Sequence, residues 1–263
     1  MKLKIKGYGL LEVVFVNLGK EANRKEIAII DGDVDGQFLN LLLSSSGILY
    51  EDEIIQIGIK TEYHKNLCRL SVFLGNKSNS TIQDVELSIK CDSNSLKFTT
   101  IQPISNEIPS SKQQFLVFNV ECMENIANFP VLFVSFKSNV LFEKEFKVPI
   151  NVARFIEPAE LNREDFANRW KQIGGAPRET VENFKFGNIS SVEVLKRLNF
   201  QVLDGLDQVE NVVAAGIFNS SVLGQVGCLV RVEGGLEGKC TVRATNEFVS
   251  KSLCRLLVMV MKG

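Results

Sequence analysis

The chain has 263 residues, of which 45% are hydrophobic and 23% charged, and its formal net charge is -1. That length accommodates one large domain or two small ones, each with its own core, and the composition is that of a soluble globular protein. Near-neutrality excludes a global pull toward nucleic acid or an acidic membrane surface, so charge-based recognition has to be local.

Residues 1–35 give few signals and are assigned as an extension or hinge remnant. Within them Glu12-Val13-Val14-Phe15-Val16 has strand character. Met1-Lys2-Leu3-Lys4-Ile5-Lys6 lacks the long apolar core and cleavage site of a signal peptide. The stretch Phe38 to Leu43 is apolar and ends in Ser44-Ser45-Ser46.

From Gly47 to about Ala153 the pattern is all-β. Short β-branched and aromatic runs fall at Ile54 to Ile59, Leu70 to Leu74, Val85 to Ile89, Leu96 to Phe98, Phe115 to Phe118, Val131 to Phe136 and Phe142 to Ile150. Turn clusters such as Gly75-Asn76-Lys77-Ser78-Asn79-Ser80 separate them. About seven short strands with no helical pattern between them predict an antiparallel sandwich over residues 36–153.

The grammar changes after Arg154-Phe155-Ile156-Glu157-Pro158. Asn162 can cap a helix that carries Asp165 at its third position, and Gly174-Gly175 ends it. Pro177 fits the first turn of a second helix running through Phe184. Ser191 precedes a third helical stretch, Val192 to Leu198. Strand candidates follow at Phe200 to Leu203, Val212 to Phe218, Gly227 to Val232 and Lys239 to Ala244. Asn246 to Met261, with Phe248, Val249, Leu253, Leu256, Leu257 and Val260 on one stripe, predicts a final amphipathic helix. Residues 154–263 are therefore expected to form an α+β unit, an antiparallel sheet with its helices on one face. No Gly/Ser linker marks the join, which predicts rigid packing of the two units.

Chemistry-bearing motifs fail one after another. Asp31-Gly32-Asp33-Val34-Asp35-Gly36 begins like a calcium loop, but its twelfth position is Leu42, not a bidentate Glu. Gly234-Gly235-Leu236-Glu237-Gly238-Lys239 is misspaced for a phosphate loop and followed by Cys240, so a hairpin turn explains it better. Gly7-Tyr8-Gly9 lacks the third glycine of a dinucleotide fingerprint. Six cysteines (Cys68, Cys91, Cys122, Cys228, Cys240, Cys254) have no paired spacing, which points to reduced, buried thiols in a cytosolic setting. With His64 the only histidine, neither a zinc site nor a nucleophile-base arrangement assembles. No apolar run reaches about 18 residues, so no membrane-spanning helix is expected. Neither a catalytic constellation nor a cofactor site is found, and the chain is expected to be a binding module rather than an enzyme or a lipid binder.

The only tryptophan, Trp170, lies four residues after Phe166, on the same helix face. Beside cationic side chains, such a ring anchors a small recognition pocket or fills a core. Both readings fit the residues alone. Arg231 and Glu233 alternate onto one face of a strand, and Lys239 and Arg243 do the same on the next.

Taken in order, Gly47-Ile48-Leu49-Tyr50-Glu51, Gln56-Ile57-Gly58-Ile59-Lys60, Gly75-Asn76-Lys77-Ser78, Arg169-Trp170-Lys171-Gln172, Ala215-Gly216-Ile217, Gln225 through Glu233 and Ser252-Leu253-Cys254 resemble the carboxy-terminal appendage (ear) of the alpha-adaptin family, across about residues 36–263. Alpha-adaptin is the large subunit of the plasma-membrane clathrin adaptor. The resemblance implies an immunoglobulin-like sandwich followed by a platform subdomain. It also implies binding of Asp-Pro-Phe, Asp-Pro-Trp and Phe-x-Asp-x-Phe motifs of endocytic accessory proteins. Trp170 would be the aromatic wall, Arg231, Lys239 and Arg243 the cationic side that receives the motif's aspartate, and Glu233 and Glu179 acidic positions of the same site. Phe166 belongs to that set but is expected to face the core. Further implied partners are the other adaptor subunits, reached through a trunk absent from these residues, and clathrin. Location would be cytoplasmic, at coated pits, with membrane contact only indirect and no nucleic acid. Appendages of related coats, the beta-adaptin ear and the COPI gamma subunit, are the alternative.

Two positions depart from the family pattern. Ala167 stands where a second aromatic is usual, and Lys239 where Arg is usual, which keeps the charge but loses bidentate geometry. The first change predicts a shallower pocket, weaker on the order of 1–2 kcal/mol, or roughly tenfold in affinity.

Overall fold

In the computed structural model, the described residues are 11–12 and 36–263, apart from 92, 139, 140 and 236. The Asp31–Asp35 acidic cluster, the Gly7-Tyr8-Gly9 triplet and most of the Glu12–Val16 strand candidate lie outside them.

The first part is a two-layer sandwich. Strands β1 (Leu11–Glu12), β2 (Ser46–Glu51), β3 (Ile55–His64), β4 (Leu67–Asn76), β6 (Leu96–Gln102) and β7 (Gln113–Cys122) form one antiparallel sheet, ordered β1-β6-β7-β4-β3-β2. Strands β5 (Gln83–Lys90), β8 (Val131–Lys137) and β9 (Leu141–Lys147) form the other, ordered β5-β8-β9. Alternation decides what lies between them. Ile55, Ile57 and Ile59 on β3, Leu70, Val72 and Leu74 on β4, and Leu116, Phe118 and Val120 on β7 all point inward, meeting Leu87, Ile89, Leu132, Val134 and Phe136. The apolar run at 38–43 is mostly helix: α1 (Gly36–Leu42) closes one edge with Leu41 and Leu42 buried. The expected turn after β4 is built by Asn76. Its Nδ2 donates to Ser80 O (2.8 Å) and Ile108 O (2.9 Å), and its Oδ1 accepts from Ser78 N (2.9 Å).

Val148, Ile150 and the short 3-10 helix Val152–Phe155, all buried, carry the chain into the second part. There β10 (Ile156–Pro158), β11 (Glu179–Phe184), β13 (Val212–Ser220), β14 (Gly224–Glu233) and β15 (Gly238–Ala244) make an antiparallel sheet ordered β10-β13-β14-β15-β11, with β12 (Gln201–Val202) also paired to β13. Helices α2 (Arg163–Ile173), α3 (Ser191–Arg197) and α4 (Glu247–Lys262) cover it.

Three expectations are corrected here. The segment after Pro177 is not a helix: Glu179–Phe184 is edge strand β11, in register with β15 from Glu179↔Arg243 to Phe184↔Gly238. Thr180-Val181 is β-branched and Phe184 is buried beneath the sheet, so pairing beside β15 outweighs the helix-start signal of Pro177. Nor are the helices on one face. Buried Val194, Leu195, Leu253 and Leu257 place α3 and α4 on the face that merges with the sandwich core, whereas α2 packs against Leu203, Val213, Ala215 and Leu229 on the opposite face. The cap of α3 is Ser190, one residue earlier than expected, its hydroxyl accepting from Glu193 N.

The two parts share one buried cluster. Tyr63 meets Phe155 edge to face at 5.3 Å, and Ser221 N and Val222 N donate to Cys122 O (2.8 Å) and Met123 O (3.0 Å). Arg154, a residue only 7% exposed, donates through its guanidinium to the carbonyls of Ser44 and Arg197 across the same seam.

Candidate functional site

The outward face of the second sheet carries the site. Antiparallel partners share a face, so the register lines up Ala215, Leu229, Arg243 and Glu179 in one row. Val213, Arg231, Thr241 and Val181 form the next, and Glu233, Lys239 and Asn183 the third. Successive rows lie about 7 Å apart along the strands.

Helix α2 lies over this face. Asn162 caps it, Oδ1 accepting from Asp165 N (2.9 Å), and Glu164 and Asp165 place negative charge in its first turn. Gly174 (φ +73°) ends it in a conformation that costs a side-chain-bearing residue free energy. None of its residues is fully buried. Phe166, Trp170 and Ile173 are half-buried against Leu203, Val213, Ala215 and Leu229. A helix docked through so small a cluster leaves its large rings partly in water.

Trp170 is therefore both a packing residue and an exposed one. Its ring stacks on Phe166 at 5.5 Å with 22° between planes, so Phe166 supports the tryptophan instead of disappearing into the core. The Arg243 guanidinium sits 4.3 Å from the indole centroid, donates to the Trp170 carbonyl, and pairs with Glu179 (Nε–Oε2 2.6 Å). Fixed by three partners, Arg243 holds the ring through a cation–π contact. Ala167 is exposed on the neighbouring turn.

The second cationic group is tied just as firmly. Arg231 Nε donates to Asp207 Oδ2 (2.5 Å) and its Nη1 to Glu233 Oε1 (2.9 Å), while Lys239 Nζ reaches the same Glu233 oxygen (2.8 Å). The Arg231 hydrogen bond holds the Asp207 carboxyl down at about 2, and Asp207 in turn raises the Arg231 guanidinium. Arg231, Lys239 and Arg243 are thus matched by Asp207, Glu233 and Glu179, three charges against three.

All seven residues singled out from the sequence, Phe166, Trp170, Glu179, Arg231, Glu233, Lys239 and Arg243, lie on this one face. Asp207 was missed. It sits in the loop between β12 and β13, 24 residues before Arg231, and a loop carboxylate carries no periodicity that would aim it at a strand. A cavity of about 300 Å³ also opens along the flank of α2, between Arg169, Gln172 and Ile173 and the sheet residues Ala215 and Leu229. Gly234 and Gly235 follow β14 directly and lie between the paired strands β14 and β15. Among the described residues no group of three or more His, Cys, Asp or Glu side chains is placed to hold a metal ion. No helix there is long and apolar enough to cross a membrane.

Comparison with known proteins gives two family matches in sequence. Residues 45–149 match the family described as "Adaptin C-terminal domain", and residues 154–261 the family described as "Alpha adaptin AP2, C-terminal domain". Among curated proteins, the chain is 30% identical over 224 residues to AP-2 complex subunit alpha-1 of Arabidopsis thaliana, covering 81% of this chain and 22% of that one. It is 28% identical over 234 residues to AP-2 complex subunit alpha-2 of Dictyostelium discoideum, covering 84% and 23%. Against AP-2 complex subunit alpha of Schizosaccharomyces pombe the identity is 26% over 238 residues, covering 86% and 27%. The chain spans about a quarter of the length of these relatives.

Proposed function

The chain belongs to the alpha-adaptin C-terminal family, and from that premise we propose that it is a clathrin-adaptor appendage whose platform face recognises short aromatic-acidic peptide motifs. Appendage domains of this family are non-enzymatic interaction modules. The motifs are of the Asp-Pro-Phe, Asp-Pro-Trp and Phe-x-Asp-x-Phe types, carried by endocytic accessory proteins that the appendage brings to coated pits. The observation that carries the proposal is Trp170, an indole held half-exposed between Phe166 and Arg243 on a face that also presents Arg231 and Lys239.

The mechanism is coupled burial and charge pairing. A disordered ligand lays an aromatic ring against Trp170 and sets its carboxylate among Arg231, Lys239 and Arg243. Single motifs bind at roughly 10–100 µM, and repeated motifs on one partner provide avidity. Clathrin and the other adaptor subunits are engaged by the assembled complex, which places the protein in the cytoplasm at plasma-membrane coated pits. Because the relatives matched are alpha subunits, the alpha type is favoured over the beta-adaptin ear and COPI gamma alternatives.

The test is nuclear magnetic resonance mapping with a labelled chain and an unlabelled Asp-Pro-Phe peptide. Shifts are expected at the Trp170 indole and along Arg231, Lys239 and Arg243. Shifts confined to the sandwich strands would contradict the assignment.

A further inference from the structure

The platform face presents three cations, yet none of them waits for a ligand. Two of the three matching carboxylates are fixed in the sheet: Glu179 on β11 directly opposite Arg243, and Glu233 on β14 directly opposite Lys239. The third, Asp207, belongs to the loop between β12 and β13 and reaches Arg231 from outside the sheet, with Oδ2 on Nε at 2.5 Å and Oδ1 on Nη2 at 3.5 Å. That two-point geometry is the one an Arg offers any incoming carboxylate. The loop also borders the α2 surface, since Leu206 packs against the same small buried cluster as Phe166 and Trp170, and the Arg163 guanidinium of α2 holds the carbonyl of Gly205.

Displacing Glu233 or Glu179 would leave a strand residue without its cross-strand partner. Moving Asp207 disturbs only loop contacts, those to Gln208 N (2.8 Å) and Asn211 Nδ2 (3.2 Å). Asp207 is therefore the exchangeable member of the network.

We propose that Asp207 is a built-in competitor: in the free protein it occupies the Arg231 position that a ligand's carboxylate takes, so that binding is an exchange of one carboxylate for another. The inference rests on the peptide-recognition reading of this face. An exchange returns little charge-pairing free energy by itself, so a carboxylate alone cannot displace Asp207, and a ligand must add aromatic burial at Trp170 to win. Asp207 thereby sets specificity for the combined aromatic-acidic motif and screens Arg231 from the acidic solutes and carboxyl-rich surfaces of its surroundings. Its carboxyl, held at about 2, keeps that screen charged at any neutral or mildly acidic pH.

The experiment titrates an Asp-Pro-Phe peptide and its Asn-Pro-Phe analogue into wild type, Asp207→Asn and Asp207→Glu, with thermal unfolding to verify the fold of each. In Asp207→Asn the acidic peptide is expected to tighten about fivefold, the scale of one exposed ion pair. The amide analogue should change little, so the preference for Asp over Asn rises. Asp207→Glu, which restores the competitor, should return both values toward wild type. A merely structural Asp207 would instead move both peptides together and leave the preference where it was. If wild type binds and Asp207→Asn leaves affinity and preference unchanged, or weakens both peptides, the competitor role is overturned and the pocket stands. If neither wild type nor Asp207→Asn binds, the peptide-recognition reading itself is overturned, and the competitor role with it.

Discussion

Ala167 is exposed one turn from Trp170, where it adds nothing to the aromatic surface that Phe166 and Arg243 support from below. Replacing it with Phe extends that surface without disturbing the buried cluster. Ala167→Phe is expected to tighten Asp-Pro-Phe binding about tenfold, the worth of roughly 1–2 kcal/mol of aromatic contact, as read by isothermal titration calorimetry. Asp207 provides a prediction in pH. Its carboxyl lies at about 2 against an ordinary 3.8, so its pairing with Arg231 stabilises the fold fully above about pH 4 and is lost as the pH falls from there toward 2. The melting-temperature advantage of wild type over Asp207→Asn should shrink across that window, and an advantage that stays constant would contradict it. At this scale the sequence revealed what periodicity could reveal. Arg231 with Glu233, and Lys239 with Arg243, had to share faces because a strand alternates. Asp207 obeys no such period, and only the folded loop shows what it reaches.

Helix α2 is the element on which the site depends, and little holds it in place. Its capping signals were readable in Asn162 and Asp165, and its end in Gly174, because these are local hydrogen bonds and a local backbone geometry. Its packing face was not readable: the stripe of Phe166, Trp170 and Ile173 could have met either side of the sheet. Since the side taken has only a small cluster to offer, the cap matters more than usual. Asn162→Ala is expected to cost about 1 kcal/mol, seen as faster amide hydrogen exchange across residues 163–173 with exchange in α4 unchanged. Equal acceleration in both helices would show that α2 is not a locally opening unit. The misread segment, Glu179–Phe184, has the same lesson in reverse. Pro177 is a sound helix-start signal, but β15 offers a neighbouring edge whose pairing no local pattern announces.

Across the whole molecule, sandwich and platform are joined by a continuous apolar cluster, by Tyr63 against Phe155, and by Arg154 bonded to carbonyls of Ser44 and Arg197. The seven short runs with turn clusters between them made the sandwich legible in advance, and the helix and strand periods made the α+β unit legible. The seam was not, because its residues come from β3, the 3-10 helix and the β13–β14 turn, far apart in the chain. A shared core of this kind predicts one calorimetric unfolding transition; two separated transitions would contradict it. The cysteines report on the same core. Cys68, Cys122, Cys228, Cys240 and Cys254 are buried and Cys91 is half-buried, and burial pushes the Cys68 and Cys228 thiols up to about 12. Cys91 should therefore react first with a thiol reagent, the other five only at the rate of unfolding.

The central claim is that a half-exposed tryptophan on the platform face is the anchor for aromatic-acidic motifs. The most direct measurement is calorimetric titration of one Asp-Pro-Phe peptide into wild type and into Trp170→Ala, with circular dichroism to verify that the variant is folded. Binding in the tens of micromolar by wild type, weakened at least about tenfold in a folded Trp170→Ala, is the predicted result. Equal binding by the two proteins would contradict it and move the recognition surface elsewhere on the molecule.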